Sequence, residues 1–448
     1  PVQYVKICSL YGAGFYYMPG TDTCIKVGGF VRAEVNFNAG GSFAPNMGAS
    51  TGNHSSATYN ENTWRTRAGI TADARSQTAY GTLRGYAYLA ATSDNSRGGG
   101  YSGPNAIPSS TTGYSSTSNS GGADAYDRLY SPAAFIQFAG FTAGRTGSFF
   151  DFDNMTYSNQ SNIWGSTQGG NGIEVFAYTA QLGNGLSASI SVENNNGRRV
   201  GITSTGANVV ASAAGVTVAN TVYGGQGAPD IVGNLRIDQA WGSAQIMGAA
   251  HQLTFAGTSA QTFPNPGAKW GYAFGAGVKI NLPMLGKGDS IIAQFTYGQG
   301  AMDYVGSGLS TGSNNVQQAT VVTNAQAWDA TVSATGVEMT KGWSITGGLE
   351  HNWVPGWKTS LYGAYGKLDY STAANTVLNA GVAGQSFDWS LWQVGSRTTW
   401  TPVTNLDLSV EVMYQGISSD FAAPAAGTTA GSNSWWSGMF RAQRNFYP

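Results

Sequence analysis

Apolar and polar positions alternate along many ten-residue stretches of the chain. In KWGYAFGAGVKI (269–280), aromatic and aliphatic side chains take every second position, and glycine, alanine or lysine takes the positions between them. Successive side chains of a β-strand point to opposite faces, so the pattern predicts a strand with one apolar face and one nearly bare face. A helix is disfavoured, because each of the three glycines would cost about 1 kcal/mol relative to alanine.

The same alternation recurs along the whole sequence. It is clearest in 26–37, 64–75, 186–193, 343–353 and 406–415, and weaker candidates lie near 80–90, 129–139, 140–146, 173–180, 230–240, 243–253, 289–298, 358–365, 388–400 and 434–446. Together with 269–280 these segments predict about sixteen strands. Bacterial outer-membrane barrels have an even number of strands.

Long and short connections alternate between these candidate strands. SQTA (76–79) and VPGW (354–357) are short, whereas 91–127 and 299–342 are long and rich in Gly, Ser, Thr and Asn. A barrel with short periplasmic turns and long extracellular loops requires this alternation. We therefore predict an all-β fold, a transmembrane antiparallel β-barrel.

A soluble β-sandwich would also show alternation, so the environment of the apolar face needs other evidence. Strands of about ten residues are long for a soluble sheet, aromatic residues cluster toward segment ends, and the chain ends in the aromatic strand WWSGMFRAQRNFYP. The positions of the arginines also favour lipid at the apolar face, because an arginine at the bilayer midplane costs about 2–4 kcal/mol. The arginines on the face opposite the apolar one are Arg32, Arg65, Arg67, Arg84 and Arg236. We expect the apolar face to contact lipid and the polar face to line water.

Composition narrows the class further. Charged residues make up 10% of the chain, against about 25% in ordinary soluble domains. The formal net charge of −1 shows no basic excess, so nucleic acid is not an expected partner. No run approaches the roughly 18 apolar residues of a spanning helix. Because the chain starts at Pro1, we expect a processed or trimmed product.

Cys8 and Cys24 are the only cysteines. An isolated pair in an otherwise thiol-free chain suits one disulfide formed in an oxidising compartment, and two buried thiols are the alternative. No histidine lies near them and a metal site usually needs four ligands, so no metal site is expected here. No cofactor is expected elsewhere in the chain.

Several segments resemble the general porins of alphaproteobacteria, the family of rhizobial and Brucella-type outer-membrane porins. They are YVKICSLYGAGFYYMPGTDTCIKVGGFVRAEVNF, AFIQFAGFTAGRTGSFFDF, PDIVGNLRIDQAWGSAQ, KWGYAFGAGVKINLP and TPVTNLDLSVEVMYQ. The resemblance implies one barrel domain over 1–448, with an N-terminal segment 1–25 and a barrel 26–446. It also implies an integral protein of the bacterial outer membrane, surrounded by lipid and lipopolysaccharide. As a homotrimer, it would pass ions and small hydrophilic solutes by passive diffusion.

The resemblance also implies that the segment after the fifth strand, 146–172, folds inward as a constriction loop. It contains Asp151 and Asp153 among three phenylalanines. The candidate groups opposite are Arg32, Arg65, Arg67 and Arg84, with Arg145 just before the loop. Opposed carboxylates and guanidiniums across a narrow aqueous gap create a transverse field that orients dipolar solutes. The alternative is that these groups only pair with each other and stabilise the fold.

Two other functions compete with a diffusion channel. Long loops also suit a structural or adhesive barrel with a plugged pore, whose loops bind a ligand. An enzyme within a barrel is the least supported reading, and we expect no enzymatic activity.

Overall fold

The structure is a computed structural model in which sixteen long strands form one closed antiparallel barrel. It describes residues 6–37, 62–94, 128–152, 156–160, 164–166, 172–204, 209–212, 215–218, 223–256, 266–306, 309, 327–333, 336–378, 386–419 and 433–446. The barrel is closed because the first strand pairs with both the second and the last. The predicted fold class is confirmed.

The barrel strands are numbered here in chain order. They are β1 (Cys24–Phe37), β2 (Asn62–Thr78), β3 (Gly81–Asp94), β4 (Arg128–Phe138), β5 (Phe141–Thr146), β6 (Ile173–Gly183), β7 (Leu186–Glu193), β8 (Asp230–Gln239), β9 (Gly242–Leu253), β10 (Lys269–Asn281), β11 (Ser290–Gln299), β12 (Lys341–Val354), β13 (Trp357–Asp369), β14 (Trp389–Val403), β15 (Leu406–Ser419) and β16 (Asn433–Asn445).

Short turns join the strands at one end of the barrel and long connections join them at the other, as predicted. The turn between β6 and β7 contains Asn184 and Gly185, with φ of 50° and 76°. These left-handed conformations are the ones that two-residue hairpin turns require. Three long connections recur below and are named L3 (147–172), L4 (194–229) and L6 (300–340). By the usual arrangement of such barrels, the short turns mark the periplasmic end.

Some short elements lie within the long connections. They are the strands Ile202–Ser204, Val209–Ser212, Gly215–Val218, Ala330–Ser333 and Gly336–Met339, the 3-10 helices Asn196–Arg198 and Met302–Tyr304, and the helix Thr372–Leu378. Within the described part of the chain, no helix is both long enough and apolar enough to cross a membrane.

Strand β10 shows which way the two faces point. The rings of Trp270, Tyr272 and Phe274 are 46%, 44% and 48% exposed on the outward side. Gly275 and Gly277, on the other side, are buried. The apolar face therefore looks away from the barrel, and the bare face looks into it.

The N-terminal segment, residues 6–23, lies at the periplasmic end of β1. Its short strand Tyr16–Tyr17 pairs with Ile25 and Cys24. Cys8 and Cys24 form the predicted disulfide. Strand β1 begins at Cys24, two residues before the expected start of the barrel.

Candidate functional site

The charged side chains of β1, β2 and β3 that the structure describes lie on the inward face of the barrel. The cations are Lys26, Arg32, Arg65, Arg67, Arg75 and Arg84, and the acids are Glu34 and Asp73. The alternation of each strand accounts for this placement, because the intervening side chains face lipid, where a charge is costly. We name this inward face of β1–β3 the arginine wall.

Like charges stand directly opposite each other on the arginine wall. Arg32 is opposite Arg67 and Arg75 is opposite Arg84 in the strand register. Asp73 partly balances the second pair, since both of its arginines donate to it at 2.7–3.0 Å. Opposed like charges destabilise a sheet, and the opposite-charge pairs of the same register, Glu34 with Arg65 and Lys26 with Asp73, offset part of this cost.

The arginine side chains rest on aromatic rings and remain in part exposed. The Arg67 guanidinium lies 5.9 Å from the centre of the Tyr130 ring, and that of Arg84 lies 5.2 Å from Phe135. The side chains of Arg75 and Arg84 each stay 27% exposed. Such stacking fixes the guanidinium plane and leaves N–H groups available to an anion.

L3 runs inside the barrel along the inward face of β7–β16, here named the covered wall. Its first part is bonded to β7 and β8: Ser148 donates to Glu193 at 2.7 Å, and Asn234 donates to the Phe149 carbonyl at 2.6 Å. Farther along, the Tyr157 hydroxyl meets Ser290 of β11 at 2.8 Å. L3 therefore lies against the covered wall, from β7 at its start to β16, the strand next to β1, at its middle.

Small residues on the covered wall make room for the rings of L3. A Cβ on Gly277 would lie 2.3 Å from the Phe152 ring, and one on Gly366 would lie 2.4 Å from the Trp164 ring. Trp164 is fully buried and donates its indole N–H to the Leu391 carbonyl at 2.8 Å. The inward face of β10, which carries no large side chain at Gly277, thus leaves the space in which an L3 ring packs.

Charged side chains from three strands hold the middle of L3. The Asn159 backbone N–H donates to Glu411 at 2.7 Å, and the Asn159 side-chain oxygen accepts from Arg441 at 2.6 Å and from Arg397 at 3.2 Å. Arg441 also pairs with Glu34 of β1. These charges are used in fixing the loop.

A buried charged cluster joins L3 to L4 and L6. Arg198 of L4 lies 3.4 Å from Asp151 of L3 and 3.3 Å from Asp303 of L6. Burial raises the pKa of Asp303 to about 7, and the charge of Arg198 offsets only part of that rise. Asp329 of L6 strengthens the connection by accepting from the backbone N–H groups of Val200 and Met302 at 2.9 and 2.7 Å.

The structure brings only some of the candidate site residues together. Arg32, Arg65, Arg67 and Arg84 share the arginine wall. Asp151 accepts a hydrogen bond from Ser166 of L3 at 2.7 Å and forms an ion pair with Arg198 of L4. It is therefore one of the groups that position the loop. Asp153 lies outside the described residues.

Arg145 does not face the lumen. It shares the outward face of β5 with Phe141 and forms an ion pair with Glu174, directly opposite on β6. The sequence held a signal for this position, because Phe141 and Arg145 are four residues apart and so point to the same side of a strand.

Four further arginines in or near the lumen were not among the residues predicted for the site. Arg75 follows the same alternation as Arg65 and Arg67, so its face was readable. The loop-holding roles of Arg198, Arg397 and Arg441 depend on where L3 folds, and strand periodicity carries no information about that.

A closed sixteen-stranded barrel with an apolar exterior, a charged inner wall and an inward-folded loop defines a porin-type outer-membrane barrel. The family described as the porin subfamily matches residues 1–439. The chain therefore belongs to this family and is an integral protein of the outer membrane.

Two relatives are similar to the chain in sequence over part of its length. The chain is 29% identical to porin Omp2b of Brucella suis over 245 residues, 54% of this chain and 56% of Omp2b. It is 34% identical to outer membrane protein IIIA of Rhizobium leguminosarum bv. viciae over 98 residues, 21% of this chain and 22% of that protein. The chain thus spans about half the length of the first of these relatives and less of the second.

Among solved structures, the outer membrane channel DcaP of Acinetobacter baumannii is similar with a TM-score of 0.59 at 16% identity, covering 96% of this chain and 99% of DcaP. OmpF of Salmonella typhi is similar with a TM-score of 0.50 at 12% identity, covering 95% of this chain and 98% of that chain. These two likenesses concern the fold.

Proposed function

We propose that the chain is a water-filled diffusion channel for ions and small hydrophilic solutes and has no enzymatic activity. A sixteen-stranded barrel is wide enough to leave an aqueous passage. The observation that carries the proposal is the division of the lumen, with L3 held against β7–β16 and guanidiniums exposed on β1–β3.

The constriction in this proposal lies between L3 and the arginine wall. Arg32, Arg65, Arg67 and Arg84 supply its cationic side, and Asp153 is the candidate carboxylate on the loop. Asp151 acts indirectly by holding L3 to Arg198. A field across such a gap orients dipolar solutes and disfavours apolar ones.

The sign of ion selectivity follows from the charges on the arginine wall. Cations outnumber carboxylates by six to three in the sequence of β1–β3, while Arg397, Glu411 and Arg441 of the covered wall are used in holding L3. Because the passage runs beside the arginine wall, we expect the channel to prefer anions.

The working assembly in this proposal is a homotrimer in contact with lipid and lipopolysaccharide. Small outward residues meet on β2 and β3, where Ala68 is opposite Ala91 and Ala72 is opposite Ala87. Such residues let a second barrel approach closely. Light scattering of the detergent-purified protein should give three times the chain mass, and the mass of one chain would contradict this assembly.

Recordings of the full-length protein in planar bilayers test the channel itself. We expect stepwise openings in groups of three and, in a KCl gradient, a zero-current potential of the sign given by anion preference. Electrical silence would overturn the proposal in favour of a plugged barrel with ligand-binding loops. Lipid hydrolysis by the purified protein would point to an enzyme instead.

A further inference from the structure

Part of the N-terminal segment packs on the lumen side of the barrel wall. Cys24 lies on the same face of β1 as Lys26 and Arg32, so its disulfide to Cys8 holds the segment on the inward side. Strand β16 pairs with β1 only from Phe30 onward. The start of β1 therefore has no β16 partner, and Tyr16–Tyr17 pairs with it there, at Ile25 and Cys24.

The segment has a small core of its own at this position. Cys8, Phe15 and Cys24 are buried together, and Tyr11 and Tyr17 pack against them. The Thr23 hydroxyl also meets that of Ser76 on β2 at 2.9 Å. The segment is therefore fastened to both β1 and β2.

The segment contacts the two cations at the periplasmic end of the arginine wall. The Arg75 guanidinium lies 4.9 Å from the centre of the Phe15 ring and 5.7 Å from that of Tyr11. Lys26 donates to the Ala13 carbonyl at 3.3 Å. Asp73 lies between Arg75 and Arg84, so the arginine wall continues into this contact.

We propose that the N-terminal segment narrows the periplasmic mouth and holds Arg75 and Lys26 there as the last binding station for small anions, such as carboxylates or inorganic phosphate. The disulfide keeps the segment on the wall. Guanidinium and ammonium groups recognise these anions by charge-assisted hydrogen bonds. The inference rests on the proposed channel function.

The test compares the native protein, the native protein reduced with dithiothreitol in the bilayer, and the double variant Cys8→Ala/Cys24→Ala. Reduction and the double variant should both raise the single-channel conductance and lower the anion-to-cation permeability ratio. If the native protein conducts and neither treatment changes conductance or ratio, this inference is overturned while the channel proposal stands. A silent native protein would instead defeat the channel proposal.

A charge variant then separates a selectivity role from a purely structural one. Arg75→Gln should lower the permeability ratio by up to about fivefold, the Boltzmann factor of one unit charge at about 4 Å in water. The matched control is Arg236→Gln at the periplasmic end of β8. Arg236 is likewise paired with an aspartate, Asp238 at 2.9 Å, but the ring beside it is Phe152 of L3 rather than Phe15 of the N-terminal segment, so its effect should be smaller.

Arg75→Gln is finally combined with Cys8→Ala/Cys24→Ala. If the disulfide acts by holding Arg75, the charge change should have less effect without the disulfide than with it, because coupled sites are not additive. Full additivity of the two effects would contradict the proposal.

Discussion

The arginine wall and the covered wall are built from the same kind of strand but carry different inward residues. On the covered wall, positions such as Gly277 and Gly366 are bare, and rings of L3 fill the space. On the arginine wall, Arg67 and Arg84 project inward and lie over aromatic rings. One wall serves as a seat for a loop, and the other presents charge.

This difference shows how one alternating pattern can encode two uses of a lumen. A small inward residue leaves volume that a loop side chain must fill, because protein interiors are close-packed. A long charged inward residue needs water or a partner. In the proposed channel, the distribution of glycine and arginine around the barrel therefore decides on which side solutes can pass.

The largest expected effect comes from removing a ring that joins L3 to the covered wall. Trp164→Ala should lower the free energy of unfolding by about 3–5 kcal/mol, because a fully buried indole and its hydrogen bond to Leu391 are lost. Urea-induced unfolding in detergent, followed by tryptophan fluorescence, measures this. Trp436→Ala is the matched control, since that ring is 57% exposed on the outward side. Equal losses of stability in both variants would contradict the packing of L3 against the covered wall.

The second effect is a pH dependence of the buried cluster that joins L3 to L4 and L6. Because the pKa of Asp303 is raised to about 7, the folded state holds this proton more tightly than the unfolded chain. The contribution to stability is then full below about pH 4 and is lost as the pH rises to about 7, by at most about 4 kcal/mol. Asp303→Asn should remove this part of the pH dependence when unfolding is compared between pH 4 and 8. An unchanged slope in the variant would show that Asp303 titrates normally.

The smallest effect compares one arginine from each wall. Arg67→Gln removes a charge beside the passage and should lower the anion-to-cation permeability ratio by about fivefold. Arg397→Gln removes a charge that holds Asn159 and whose side chain is only 9% exposed, so the ratio should change less. Zero-current potentials in a KCl gradient measure both, and a larger shift for Arg397→Gln would reverse the assignment of the two walls.

The strands were predictable because each has one face in lipid. Contact with lipid requires apolar residues at every second position. This alternation is recognisable even in β10, where the other face is mostly glycine and alanine. The elements inside the long connections were not predictable. Ile202–Ser204 pairs in parallel with Ala330–Ser333 from another loop, and a pairing across more than a hundred residues leaves no local pattern.

The site was predictable to the same extent. The faces of Arg32, Arg65, Arg67 and Arg84 followed from strand alternation. The partner of Asp151 did not, because Arg198 reaches it from L4 only after both loops have folded into the barrel.

Thiol accessibility at two inward threonines tests most directly whether solutes pass along the arginine wall. Thr71 of β2 lies on that wall and is partly exposed, whereas Thr346 of β12 is buried beneath Gly165 of L3. The native cysteines are paired in the disulfide, so each new thiol is the only reactive one. In planar bilayers, a charged methanethiosulfonate reagent should reduce the current through Thr71→Cys and leave Thr346→Cys unchanged. Block of Thr346→Cys with no effect on Thr71→Cys would contradict the account.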